Sequence, residues 1–299
     1  MNTRPLVTIG LPFYNSEDTL VAALKSVFAQ TVDDWELIMV NDGGTDGSPE
    51  IAQAVNDPRV RVVDNRDNRK LAYRLNEIAQ MARGKYLFRM DADDLLHSQR
   101  VEKQSTFLEE HPDVDVVDTA RYTIDDEYNL IGVRGLAEIR KEPAQVLRAA
   151  PLIHATIAGP TQWFRDNPYD PTFPRSQDRD LWCRSAAHSN FGRIQEPLYF
   201  VREFGIHSTR RYLMHGHSNR RIFRKYGPEV VGWWKTRLLI AESHLKCGAY
   251  VVASVLGFED RLIERRSIPL SDDLKQAGER ELQMLLTVEL PLRAGTDLK

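Results

Sequence analysis

In the first 120 residues the hydrophobic pattern switches repeatedly between two periods, and this switching constrains the fold more than any other feature of the chain. Leu6–Leu11 is a short continuous apolar run, the pattern of a strand buried on both faces. Glu17–Gln30 then places Leu20, Leu24, Val27 and Phe28 at i, i+4, i+7 and i+8, one stripe of a helix. The alternation continues with a strand at Leu37–Val40 and a helix opening at Ser48-Pro49-Glu50, where a cap, a Pro at the first helical position and an acid in the first turn coincide. That helix is expected to reach about Asn56. Further strands are expected at Val60–Val63, Tyr86–Met90 and Val114–Val117, with helices at Leu71–Ala82 and from Ser98 to about Glu110. Such alternation predicts βαβ units: an α/β fold with a mostly parallel sheet flanked by helices. Past residue 120 the alternation fades into short β-like pieces among Pro, Gly and Asp turns, with one helix expected at Asp178–Ala187. From Tyr212 onward the pattern is mainly helical. The expected division is 1–120, 121–205 and a helical C-terminal extension, 206–299.

Composition removes several function classes. Lys+Arg number 40 and Asp+Glu 43, a formal charge of −3, which argues against a surface given over to nucleic acid. The two cysteines, Cys183 and Cys247, stand in unrelated contexts, so neither a disulfide framework nor a Cys-based zinc site is expected. Gly248–Phe258, the longest apolar candidate, falls short of the ~18–20 residues of a membrane span, and Met1–Pro5 leads straight into a strand without the apolar core of a signal peptide. A cytoplasmic protein is the expectation.

In parallel α/β sheets ligands sit beyond the carboxyl ends of the strands. The segments there are Pro12–Asn15, Asn41–Asp46, Asp64–Asn68 and Asp91–Asp94, all polar or acidic. In Asp91-Ala92-Asp93 an extended backbone points both carboxylates the same way. Two such charges repel unless a proton or cation lies between them, and Mn²⁺ or Mg²⁺ suits an all-oxygen site. The alternative is an acidic turn that starts the next helix. Asn41–Ser48 lacks the lysine of a P-loop and the spacing of a dinucleotide fingerprint. Asp42 in it can accept hydrogen bonds from a base or a ribose, and the glycines allow close approach; a tight turn into the next helix is the simpler account.

Three motifs in order carry a resemblance: Pro12-Phe13-Tyr14-Asn15, then Asn41-Asp42-Gly43-Gly44-Thr45-Asp46, then Arg89-Met90-Asp91-Ala92-Asp93-Asp94. Together they resemble family 2 glycosyltransferases, which have a GT-A fold and use nucleotide-diphospho-sugars with inversion. Arg100-Val101-Glu102-Lys103-Gln104, Phe107-Leu108, His111-Pro112 and Val116-Val117 are similar to the subgroup that assembles bacterial polysaccharides. The likeness covers about residues 5–205. It implies that Pro12, Tyr14 and Asn15 line the nucleotide pocket, with the Tyr14 ring stacked on the base, which is most simply uracil. It places Asp42 on the base, Arg69 or Lys70 against the nucleotide, and Asp91, Ala92 and Asp93 at the sugar-diphosphate. Asp93 matches the main metal ligand and Asp91 the first carboxylate, shared between metal and sugar. Asn41 stands where many members have an acid.

The same resemblance places the catalytic base in Gln177-Asp178-Arg179-Asp180-Leu181-Trp182, on Asp178, with Gln177 where the family usually has Glu. Read without the family, Asp178 is an acid favoured by a helix N-terminus. Trp182 is either a sugar platform or core; His154 with Thr156 resembles an acceptor-side segment; His207 is a weaker candidate metal ligand. Residues 204–228 hold six Arg/Lys and no acid, which is read as a solvated face, a contact with anionic lipid at the inner membrane surface, or help for a lipid-linked diphosphate. The following helix is read as core, membrane-surface or homodimer face. The implied partners are a nucleotide-diphospho-sugar and a saccharide or lipid-linked acceptor, not nucleic acid. Two other functions stay in view: a sugar-phosphate nucleotidyltransferase, which usually has a Gly-rich basic loop after its first strand, absent from Pro12–Asn15, and a silent nucleotide-sugar-binding protein, hinted at by Gln177.

Overall fold

The computed structural model describes residues 4–173, 175–203, 209–255 and 270–295. Its first half is the expected alternation: β1 (Val7–Phe13), α1 (Glu17–Phe28), β2 (Trp35–Asp42), α2 (Ser48–Ala54), β3 (Val60–Asn65), α3 (Lys70–Met81) and β4 (Tyr86–Arg89). These strands pair in parallel in the order β3-β2-β1-β4. Every residue of β1 and β2 is buried, because helices cover both faces, and this is why their central stretches, Ile9–Leu11 and Leu37–Val40, are free of polar side chains.

The second half is mixed. After β5 (Leu95–Leu96) and α4 (Arg100–Glu110) come β6 (Val116–Ile124), β7 (Leu130–Arg134) and α5 (Pro143–Arg148), then β8 (Ala158–Pro160), α6 (Thr161–Asp166), α7 (Gln177–Ser185) and β9 (Phe191–Arg202). Strand β8 is antiparallel to both β4 and β6; β9 runs parallel to β6 and antiparallel to β5; β7 closes against β6 as a hairpin. The strand expected at Val114–Val117 thus continues to Ile124. Its extension carries Asp118, Thr119 and Thr123, all fully buried, and polar residues there hide a strand from a hydrophobicity reading. Asp118 is satisfied by the Arg193 guanidinium and the Ile153 N–H, and the Thr119 N–H donates to Thr156 Oγ1 at 3.1 Å.

The helical C-terminal region divides in two. Helices α8 (Thr209–Val231) and α9 (Trp233–Val255) pack on each other, and α8 docks on α5 and α7, with Ile222 and Phe223 of α8 and Leu239 of α9 clustered with Leu147 and Phe173. Helix α10 (Asp272–Thr287), capped by the Ser271 hydroxyl, returns to the first half: Lys25 of α1 donates to Leu286 O at 2.7 Å, and Leu282 and Leu285 are buried beside Ala22. Within residues 204–228, three of the cations counted towards a lipid-facing surface are turned onto the protein. Arg220 reaches Ser243 and Cys247, Arg221 bonds Thr172, and Lys225 bonds Asp180. Among the described residues no helix is long and apolar enough to cross a membrane.

Candidate active site

The carboxyl ends of β1 and β4 border a cleft of about 320 Å³. Pro12, Tyr14, Asn15 and Thr19 form one wall, and Asp91 and Asp93 the other. Tyr14 is half exposed (49%), so one ring face is available for stacking. Asn15 sits at φ +49°, the left-handed region that Asn tolerates, and its Oδ1 accepts the Thr45 N–H at 2.8 Å. Asn41 Oδ1 accepts the Gly44 N–H at 2.8 Å while its Nδ2 donates to Asp64 at 2.7 Å. Asp46 accepts from the Glu17 N–H and from the Ser48 N–H and hydroxyl, and Glu17 accepts the Gly47 N–H. The loops after β1 and β2 are therefore laced into one unit.

Asp42 closes β2, and its carboxylate accepts the N–H groups of Arg69 (2.8 Å) and Lys70 (3.0 Å) and the Arg74 Nε–H (2.8 Å). These bonds draw residues 66–68 over Gly43, where an added Cβ would lie 2.9 Å from the Asp67 carbonyl carbon at a backbone φ of +75°. The Asp42 carboxylate thus spends three acceptor positions on the protein. Lys70 itself is held at φ +72°, and the Arg69 guanidinium lies 3.6 Å from the Tyr73 ring centroid.

Beyond β4 the structure gathers Asp91, Asp93 and Asp94, with one carboxylate oxygen from each lying within 4.8 Å of the others. Burial, then the charge of Asp91, pushes the Asp93 carboxyl up to about 6. Burial and both neighbouring acids push Asp94 well above the usual carboxylate range. Oxygen donors crowded in this way fit a hard divalent cation, which would relieve the repulsion that otherwise favours protons. The cluster is held on all sides. Arg89 Nη2 pairs with Asp91 Oδ1 at 2.6 Å, the Asp91 N–H donates to Tyr199 Oη at 3.1 Å, the Arg202 N–H donates to Asp94 Oδ1 at 2.9 Å, and Thr19 donates to the Ala92 carbonyl at 3.0 Å.

Asp178 lies in the first turn of α7, after Ser176 at φ +61°. Burial raises its pKa; the Arg179 N–H, the Arg179 charge and then Arg89 oppose the rise. A carboxylate with a raised pKa is a stronger proton acceptor. Tyr169 and His154 are bonded Oη to Nε2 at 2.9 Å. Burial drives the Tyr169 pKa up, and its hydroxyl feels the charges of Arg89, Asp178 and Asp91. Burial, aided by Arg89, holds the His154 pKa well below the usual imidazole value, so this histidine is neutral. Arg89 thus faces the fields of both acidic sites.

Asp180, two residues on, is fully buried and bonds Lys225 (2.7 Å), the Tyr226 hydroxyl (2.7 Å) and Arg184 (3.0 Å), which ties α7 to α8 and leaves nothing for a substrate. Trp182 is fully buried between Trp163 and Phe191 and is a core residue. His207 lies outside the described residues. Sequence reasoning missed Arg89, Asp94 and Tyr169 as parts of the site. Arg89 and Asp94 flank the Asp-Ala-Asp motif and were legible by position; Tyr169, in a turn-rich stretch, gave no signal.

Comparison with known proteins addresses family and fold. Residues 8–172 match Glycosyl transferase family 2. The chain is 35% identical over 210 residues to the EpsE protein of Bacillus subtilis (strain 168), covering 68% of this chain and 75% of EpsE. Among solved structures, S. aureus TarS 1–349 in complex with UDP-GlcNAc superposes with a TM-score of 0.60 at 17% identity, over 79% of this chain and 71% of TarS. The mannosyltransferase PcManGT from Pyrobaculum calidifontis, in complex with GDP-Man and Mn²⁺, gives 0.57 at 16% identity, over 95% and 87%. At such identities the structural likenesses establish a shared fold.

Proposed function

The chain belongs to glycosyl transferase family 2 and has the GT-A fold, and we propose that it moves a sugar from a nucleotide-diphospho-sugar to a saccharide or lipid-linked saccharide acceptor, with inversion, in polysaccharide assembly. One observation carries this reading: Asp91 and Asp93, clustered with the buried Asp94, line a cleft with Pro12 and Tyr14, while a further acid, Asp178, stands apart with a raised pKa.

Inverting transfer needs a base on one side of the anomeric carbon and charge stabilisation on the other. Tyr14 and Pro12 would hold the base, and Asp91 and Asp93 would hold Mn²⁺ or Mg²⁺, which neutralises the departing diphosphate when bound. UDP is the favoured carrier: the relative TarS binds UDP-GlcNAc, while PcManGT binds GDP-Man. Asp178 would take the acceptor hydroxyl proton. Arg89, bonded to Asp91 and in the field of Asp178, would fix the spacing between the two halves of the reaction. Asp42, committed to Arg69, Lys70 and Arg74, contributes chiefly by shaping the nucleotide loop.

The test is release of UDP, GDP or dTDP from a panel of nucleotide-sugars with Mn²⁺, with and without oligosaccharide acceptors. Turnover that is abolished by EDTA supports the reading. A second reading, a sugar-nucleotide-binding protein without transfer, rests on Gln177, buried at the position where the family usually has Glu. Tight metal-dependent nucleotide-sugar binding with no turnover on any acceptor would favour it.

A further inference from the structure

A second cleft, of about 440 Å³, opens on the acceptor side between the β6–β7 hairpin and residues 135–153. Five arginines line it, Arg121, Arg134, Arg140, Arg148 and Arg193, against one acid, Glu138. Two of them, Arg121 and Arg134, are direct cross-strand partners in β6–β7. Like charges opposite one another destabilise a strand pair, and here both cations reach the same carboxylate, Glu203, at 3.5 and 2.9 Å. Arg193 is neutralised by Asp118, and its other nitrogens bond the carbonyls of Ala137 and Pro151. Arg140 is exposed, and Arg148 approaches Glu242 only to 3.8 Å. Among the described residues the five arginines therefore outnumber the acids beside them, Glu138, Glu203, Asp118 and Glu242, the last of which also pairs with Lys246. The buried Arg121 Nε makes no hydrogen bond, although an unsatisfied buried donor normally costs about 1–3 kcal/mol.

The cleft adjoins the reaction centre. Arg121 lies within the fields of Asp94 and Tyr199, which belong to the acidic cluster or bond to it. The wall formed by residues 149–153 leads directly into His154. Among the described residues no aromatic side chain lines the cleft, so they offer no stacking platform for a nucleobase, and the cleft assigned to the donor lies at β1 and β4. Arginine is the side chain whose planar fork matches carboxylate and phosphate oxygens two at a time.

We propose that this cleft binds an oxyanion, a carboxylate or a phosphate, carried by the acceptor saccharide, and that it selects anionic acceptors. The word acceptor rests on the function proposed above; the anion site rests on the arginines alone. Arg140 and Arg148 recruit the charge at the rim, and Arg121 with Arg134 receives it inside.

The test is calorimetry on the full chain in EDTA, so that no cation bridges a probe to the acidic triad. Three probes are compared: a hyaluronan tetrasaccharide (carboxylates), a glycerol-phosphate tetramer (phosphodiesters) and neutral maltotetraose. At least one anionic probe is expected to bind roughly tenfold or more tightly than maltotetraose, as one or two charge-assisted bonds would give; which one binds identifies the group. Arg140→Glu/Arg148→Glu should lose roughly tenfold or more of that affinity while keeping wild-type UDP affinity and donor hydrolysis. Arg121→Gln should weaken binding as well; if it fails to fold, the rim variant still decides. Equal binding of charged and neutral probes, or wild-type anion affinity in the rim variant, overturns the proposal. Anionic binding without turnover of any nucleotide-sugar would sink the proposed reaction and leave the cleft standing; turnover with neutral acceptors and no anionic binding would do the reverse.

Discussion

The loops assigned above to the donor and the side assigned to the acceptor both crowd polar groups against the sheet, yet they use them in opposite ways. After β1 and β2 nearly every polar side chain is consumed by the protein: Asp42 and Asp46 each accept three hydrogen bonds, and Asn15, Asn41 and Glu17 cap neighbouring N–H groups. On the side assigned to the acceptor Asp178 is half-buried with a raised pKa, and Arg121 keeps an unbonded nitrogen. A saturated group holds shape, whereas an unsaturated buried one stores interaction for a ligand. Substitutions on the two sides should therefore fail differently, the saturated groups in stability and the others in binding or rate.

The contrast is sharpest within α7. Asp178→Asn keeps shape but cannot accept a proton at useful pH, so transfer should fall roughly 10²–10⁴-fold with UDP and Mn²⁺ affinity near wild type. Parallel kinetics and calorimetry check this; a near-wild-type rate would move the base elsewhere. Asp180→Ala removes the single partner common to Lys225, Tyr226 and Arg184. Arg184 and Lys225 keep access to water, so the loss is that of hydrogen bonds to a charged group, about 1.5–3 kcal/mol, visible as a lowered urea midpoint. If Asp180→Ala left stability unchanged and abolished transfer, the roles of the two acids would be reversed.

Asp93→Asn probes the unsaturated end of the donor side. The triad would lose one charge and one metal ligand, so UDP affinity in Mn²⁺ should drop by at least roughly 10–100-fold. In EDTA the variant and wild type should bind UDP alike. A deficit that persisted in EDTA would mean that Asp93 contacts the nucleotide directly.

The two sides also differed in how far the sequence revealed them. The donor half was readable because β1, β2 and β4 are covered on both faces and must be apolar, and because the ligand-side residues sit at the strand ends. The acceptor half was not. Asp118, Thr119 and Thr123 interrupt the apolar run of β6, and the charged one, Asp118, is accommodated by Arg193 and the Ile153 N–H from distant segments. The Arg121–Arg134 apposition depends on the β6–β7 register, which no local pattern announced. Asp178 was found by resemblance to the family; by chemistry alone it was an ordinary helix-start acid, and its burial appears only once Tyr169 and Arg89 are brought against it.

Glu36 tests the saturated limit of the donor side, with the smallest expected effect. It lies buried in β2 and accepts the Thr8 hydroxyl at 2.6 Å and both the N–H and Nε–H of Arg83 at 2.7 Å. Burial alone would raise its pKa, but the bonds from Thr8 and Arg83 outweigh it and hold the carboxyl below the usual glutamate value. A folded-state pKa below the unfolded one means that the unfolded chain takes up the proton first as pH falls. The contribution of Glu36 to stability is therefore present above the unfolded value, near 4.5, and is lost as pH falls through the folded one. Glu36→Gln keeps the volume but gives up the charge and one good acceptor, at a cost of about 1–3 kcal/mol near neutral pH. The measurement is urea unfolding of both proteins from pH 7 down to about 3. The gap between them should narrow through the acidic range while UDP affinity and transfer at pH 7 stay unchanged. A gap independent of pH would assign the cost to packing rather than charge. A loss of transfer without a loss of stability would break the division drawn between the two sides.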